Sequence, residues 1–161
     1  MVHVPARVLD PPSVCCHLES PRSHFLNPKD GAWNMSHQRL VSPAVMNSWC
    51  VFALMDETDV PLSIVNNFVS QLIISCKDLG LTVYENSPLI TYVSPNQNLE
   101  VAFEDAKNFT LKIGKEAPQL FICVLGPNQH HLYPEIKRVG DTLAGIPTQC
   151  ILSKSMLFLT H

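Results

Sequence analysis

Apolar residues recur along the chain in two alternating rhythms. Residues 49–55 form a short continuous apolar run, the pattern of a strand covered on both faces. From Ile64 the apolar positions step by one and then by three, through Val65, Phe68, Val69, Leu72, Ile73, Cys76 and Leu79. That stripe predicts an amphipathic helix, with Pro61 inside its first turn and Gly80 closing it. Residues 81–84 and 88–93 favour extended backbone and predict two short strands. Leu99, Ala102, Phe103 and Ala106 share one face of a second helix over 99–109. Residues 119–125 give the clearest strand, apolar almost throughout and ended by the turn signal Gly126-Pro127-Asn128. A third helix follows, with Pro134 in its first turn, and it stops at Gly145. Its buried face is predicted to carry Ile136, Val139, Gly140 and Leu143, and residues 148–153 then read as a last strand.

Strands and helices that alternate in this way predict an α/β layer fold with a parallel sheet flanked by helices. In such sheets ligands bind beyond the carboxyl ends of the strands. The loop after Leu125 leaves one of those ends and feeds the third helix. Residues 1–42 are rich in Pro, Ser and His and lack periodicity, so they read as an irregular linker segment before the domain proper at 43–153. Trp33 and Met35 are apolar anchors that would pack this linker onto the domain. Residues 154–161 form a tail.

Composition narrows the partners. The 161 residues are 46% hydrophobic and 16% charged, which is globular and low in charge. The net charge is −3, so no general attraction to nucleic acid exists. Residues 1–100 carry five Lys or Arg against nine Asp or Glu, and residues 101–161 carry six against five. Recognition of a phosphate would have to be local. None of the six cysteines belongs to a C-x-x-C pair, and Cys50, Cys76, Cys123 and Cys150 sit inside apolar runs as small hydrophobes. Cys15-Cys16-His17 with His24 lacks the spacing of a four-ligand zinc site, so neither a metal nor another cofactor is expected. Free thiols, no apolar leader at residues 1–12 and no apolar run of about 20 residues point to a cytoplasmic chain with no membrane partner.

One constellation carries chemistry. Tyr133 and Lys137 are four apart, so they stack on one side of the third helix near its start. A ring, an ammonium and a helix N-terminus together suit an anion with a base attached. Taken alone, such a pair is also an ordinary solvated helix start. Nucleotide enzymes are not indicated: no G-x-G-x-x-G, P-loop or G-x-S-x-G is present, and Glu135 and Asp141 fall on different helix faces.

Tyr133-Pro134-Glu135-Ile136-Lys137-Arg138-Val139-Gly140-Asp141-Thr142, followed by Thr148-Gln149-Cys150, resembles the core of the MID domain of eukaryotic Argonaute proteins. The family pattern is Y-x-x-(V/I/L)-K-R-x-x-(D/E)-T and then T-Q-C. Two upstream segments resemble the same family in the same order: Ala6-Arg7-Val8-Leu9-Asp10-Pro11-Pro12 and Asp30-Gly31-Ala32-Trp33-Asn34-Met35. The resemblance implies a Rossmann-like parallel sheet that holds the 5′-phosphorylated end of a small single-stranded guide RNA in RNA silencing. It implies that Tyr133 stacks on the first base, that Lys137 and Gln149 bind the 5′-phosphate, and that Cys150 adds a backbone contact. The loop Gly126, Pro127, Asn128, Gln129, His130, His131 and Leu132 would sense the first base. Arg138, about 100° around the helix from Lys137, reads as structural or as a distal contact to the RNA backbone. No slicing is expected, because the family's PIWI carboxylates have no counterpart here. Further lysines and a final helix of the family's pocket are not matched by residues 151–161, which would leave one sheet face uncovered. Silencing-complex proteins are the other partners implied. The alternative from a different class is a remnant that acts only through protein contacts or not at all.

Overall fold

The computed structural model describes residues 5–16, 25–94 and 96–157. Two small pairings lie outside the main sheet. β1 (Val14–Cys15) pairs antiparallel with β2 (Phe25–Leu26), and β3 (Val45–Met46) pairs parallel with the later β5 (Thr82–Val83). Within residues 1–42 the short β1–β2 pairing is joined by otherwise irregular backbone among the described residues. Trp33 is an exception to the expected anchoring, since half of its surface stays exposed.

The core is a four-stranded sheet in the order β6-β4-β7-β8, parallel throughout. β4 (Cys50–Ala53) and β7 (Phe121–Leu125) are fully buried in the middle, which explains their unbroken apolar sequences. β6 (Leu89–Tyr92) and β8 (Thr148–Leu152) form the edges. Side chains alternate between two cores. One face gathers Val51, Ala53, Ile122 and Val124 under α1 (Leu62–Asp78), which contributes Val65, Phe68, Val69 and Ile73. The other gathers Cys50, Phe52, Phe121, Cys123 and Leu125 under α2 (Leu99–Lys112) and α3 (Tyr133–Val139). Phe52, Phe103 and Phe121 meet there as three rings, with centroids 4.7, 5.0 and 4.8 Å apart. A last short helix, α4 (Ser153–Leu157), seats Met156 in the α1 core. Helices thus lie on both faces, and the uncovered face expected from the sequence is absent.

Two local readings are corrected. Pro61 is the N-cap of α1 rather than a residue of its first turn, and no side chain caps that end. Leu143 is 54% exposed instead of buried. After α3 the chain widens into a π turn, Gly140–Ala144, which breaks the 3.6-residue phase that would have turned Leu143 inward. Ile146 fills the core in its place. The turn ends at Gly145, whose φ of 66° is left-handed and suits glycine.

Candidate functional site

At the end of β7 the backbone enters a tight loop. The Gly126 N–H donates to the Gln129 side-chain oxygen at 2.7 Å, and the Gln129 N–H donates back to the Gly126 carbonyl at 3.2 Å. A side-chain carbon on Gly126 would sit 3.3 Å from the Gln129 amide, so glycine allows this closure. Gln129 is therefore spent on holding the loop, which leaves Asn128, His130 and His131 as its exposed polar side chains. One 3-10 turn, His130–Leu132, then delivers the chain to α3.

α3 buries Ile136 and Val139 and turns Tyr133 outward, half exposed. The Lys137 ammonium lies 5.7 Å from the centre of the Tyr133 ring, within cation–π range. The same ammonium donates to the Thr148 carbonyl at the start of β8. An ammonium has three donors, so this bond leaves two for a ligand. Arg138 instead faces α2 and donates to Glu135 and Glu100. Its hydrogen bonds hold the Glu135 carboxyl below the ordinary carboxylate range. Arg138 thus braces α3 against α2 through Glu100.

Leu125, His130, Tyr133, Cys150, Ile151 and Leu152 line a cleft of about 390 Å³. The geometry brings Tyr133, Lys137 and Cys150 together beside β8. Gln149 does not line the cleft. It projects from the opposite side of the strand to Cys150, stands exposed, and donates to the Cys150 carbonyl at 3.1 Å. Of the loop, His130 reaches the cleft wall.

Sequence pattern alone does not reveal the partner of Cys150. Cys123 stands in register with it on β7, a neighbour set by strand pairing and invisible to spacing. The Cys150 thiol is lowered to about 7, by a hydrogen bond with Cys123 and by the Lys137 charge, against the opposing effect of burial. The hydrogen bond with Cys150, together with burial, holds Cys123 well above the ordinary thiol range.

Gly140 sets how closely α3 approaches β8. A side-chain carbon there would fall 2.4 Å from Thr148 Cγ2 and 3.1 Å from the Ile146 carbonyl. Gly140→Ala is expected to lower stability by about 1–2 kcal/mol, because overpacking outweighs the gain in helix propensity. Urea unfolding of the two proteins checks this.

Among the described residues, no group of three or more His, Cys, Asp or Glu could hold a metal ion. His17 and His24, raised as metal candidates, lie outside them. Also among the described residues, no helix is long and apolar enough to cross a membrane.

A parallel α/β sheet with a cleft at the end of one strand, beside a helix start bearing Tyr and Lys, defines a Rossmann-like domain. The family model for the Mid domain of argonaute matches residues 27–108, and this chain belongs to that family. The protein argonaute of Schizosaccharomyces pombe is 28% identical over 98% of this chain, an alignment that carries on through α3 and β8. The chain spans only 19% of that relative. The crystal structure of the Arabidopsis thaliana AGO5 MID domain superposes with a TM-score of 0.62 at 25% identity, covering 76% of this chain and 83% of that one. The Kluyveromyces polysporus Argonaute, solved with a guide RNA, superposes with a TM-score of 0.60 at 17% identity, covering 96% of this chain and 20% of that one.

Proposed function

We propose that this chain is an RNA-binding module that holds the 5′-phosphorylated end of a small single-stranded guide RNA in cytoplasmic RNA silencing, without cutting RNA. The observation that carries the reading is the joint placement of Tyr133 and Lys137 at one helix start, against β8 and beside the cleft. The solved Kluyveromyces polysporus relative with its guide RNA supports the ligand class. In this reading the first base stacks on the Tyr133 ring, and the 5′-phosphate takes the two remaining donors of Lys137. The Cys150 backbone N–H adds a contact from the outer edge of β8. Gln149, exposed and donating to its neighbour's carbonyl, would turn toward the same phosphate. The loop Gly126–Leu132 senses the first base through Asn128, His130 and His131, while Gln129 keeps its shape. Silencing-complex proteins would supply the remaining surroundings.

The test is a fluorescence-anisotropy titration with two short RNAs, one with a 5′-phosphate and one with a 5′-hydroxyl, at one fixed salt concentration. A clear preference for the phosphate is expected. Tyr133→Ala should weaken both RNAs alike, by about 1–3 kcal/mol for a lost base stack, and leave the preference in place. Equal and weak binding of both RNAs would sink the proposal and leave the family likeness as ancestry.

A further inference from the structure

Cys123 and Cys150 are register partners on adjacent parallel strands. Side chains of register partners leave the sheet on the same face, and both thiols belong to the core under α2 and α3. Neighbouring strands run about 4.7–4.9 Å apart. That lies within the separation of about 4.4–6.8 Å between Cα atoms that a disulfide tolerates. The two differ in access. Cys150 is half-buried and forms part of the cleft wall, whereas Cys123 is wholly buried beneath it. The other described cysteines do not share this position: Cys50 is in register with Phe121, Cys76 lies under the opposite sheet face, Cys15 belongs to the N-terminal pairing, and Cys16 follows it directly.

We propose that Cys150 and Cys123 form a peroxide-reactive dithiol, with Cys150 as the attacking thiol and Cys123 as the resolving one. The site takes a small hydroperoxide. The Cys150 sulfur attacks one oxygen of hydrogen peroxide, the O–O bond breaks, and water leaves as Cys150 becomes a sulfenic acid. The Cys123 sulfur then attacks the Cys150 sulfur. The S–S bond forms, the S–O bond breaks, and the departing hydroxide takes the Cys123 proton to leave as a second water. Two thiols lose two electrons, and one peroxide is reduced to two waters. Burial of Cys123 fixes the order, since peroxide reaches Cys150 alone. The Lys137 ammonium and the Cys123 thiol both favour the Cys150 thiolate, which is the attacking form. This inference does not rest on the RNA-binding proposal, although both involve Cys150, Lys137 and the same cleft.

The chain offers a direct assay. Trypsin releases residues 116–137 and 139–154 as separate peptides, each with a single cysteine. The reduced protein would be treated with a small excess of hydrogen peroxide, alkylated, digested without reductant and weighed by mass spectrometry. The expected product is these two peptides joined, two hydrogens lighter than their sum. Before peroxide, Cys150 should alkylate at least about tenfold faster than Cys76 at pH 7, following its larger thiolate fraction. In Cys123→Ser, Cys150 should persist as a sulfenic acid that dimedone captures. Should that variant fail to fold, the wild-type peptide map alone decides. Cys150 still alkylated while the exposed Cys15 is oxidised, or Cys150 joined to any other cysteine, would overturn the proposal.

Discussion

Lys137→Ala is expected to abolish the preference for a 5′-phosphate. The wild-type ammonium can give the phosphate two charge-assisted hydrogen bonds while the third donor stays on the Thr148 carbonyl. A hydrogen bond to a charged partner contributes about 1.5–3 kcal/mol, which is about 10- to 150-fold in affinity. With two such bonds lost, affinity for the 5′-phosphorylated RNA should fall by at least about that factor. Affinity for the 5′-hydroxyl RNA should change by less than about threefold, since base stacking on Tyr133 remains. The slope of affinity against salt should flatten as well, because one counterion-releasing contact is lost. Lys137→Met, which keeps an unbranched apolar stem, separates loss of charge from loss of packing. Both variants should lose the preference equally. A variant that retains it would place the phosphate elsewhere on the molecule. The measurement is the same anisotropy titration, run at several salt concentrations.

The largest stability effect is expected from Phe52→Ala. Phe52 is fully buried at the centre of β4, and its ring touches those of Phe103 on α2 and Phe121 on β7. Removing a buried ring from such a cluster costs about 3–5 kcal/mol, through lost transfer energy and an unfilled cavity. For a chain of this size each kcal/mol lowers the melting temperature by about 2–4 °C. The shift should thus be about 6–20 °C, read by circular dichroism. The binding face stands on the same core through Ile136 and Val139, so RNA binding should be lost at the new, lower melting temperature rather than independently of it. A melting temperature within about 2 °C of wild type would mean that the three rings do not form one cluster.

The elements easiest to read in the sequence were those whose burial obeys one simple period. β4 and β7 are covered on both faces and read as solid apolar runs, while α1 and α2 each carry one clean stripe. α3 was legible up to Val139 and not beyond, because the π turn at Gly140 changes the period without any signal in the hydrophobic pattern. Of the site, Tyr133 and Lys137 could be paired from spacing on one helix. The direction of Gln149 and the closeness of Cys123 to Cys150 could not, since both depend on which strand lies beside β8 and in which register. Trp33 was misplaced for a related reason: an aromatic in an irregular segment has no period to say which way it points.

Adjacent side chains on α3 pull in different directions. Lys137 ties the helix to β8 and Arg138 ties it to α2, while Ile136 and Val139 anchor it from below. A helix strapped on both flanks cannot swing aside to admit a ligand. Among the described residues, the loop Gly126–Leu132 is held by short-range hydrogen bonds within its own span and by the packing of Leu132 on the core. If a ligand needs more room in the cleft, the loop is the element expected to yield, on the nanosecond-to-microsecond scale of loop motion, while the helix would keep its aromatic and cationic groups in fixed relation.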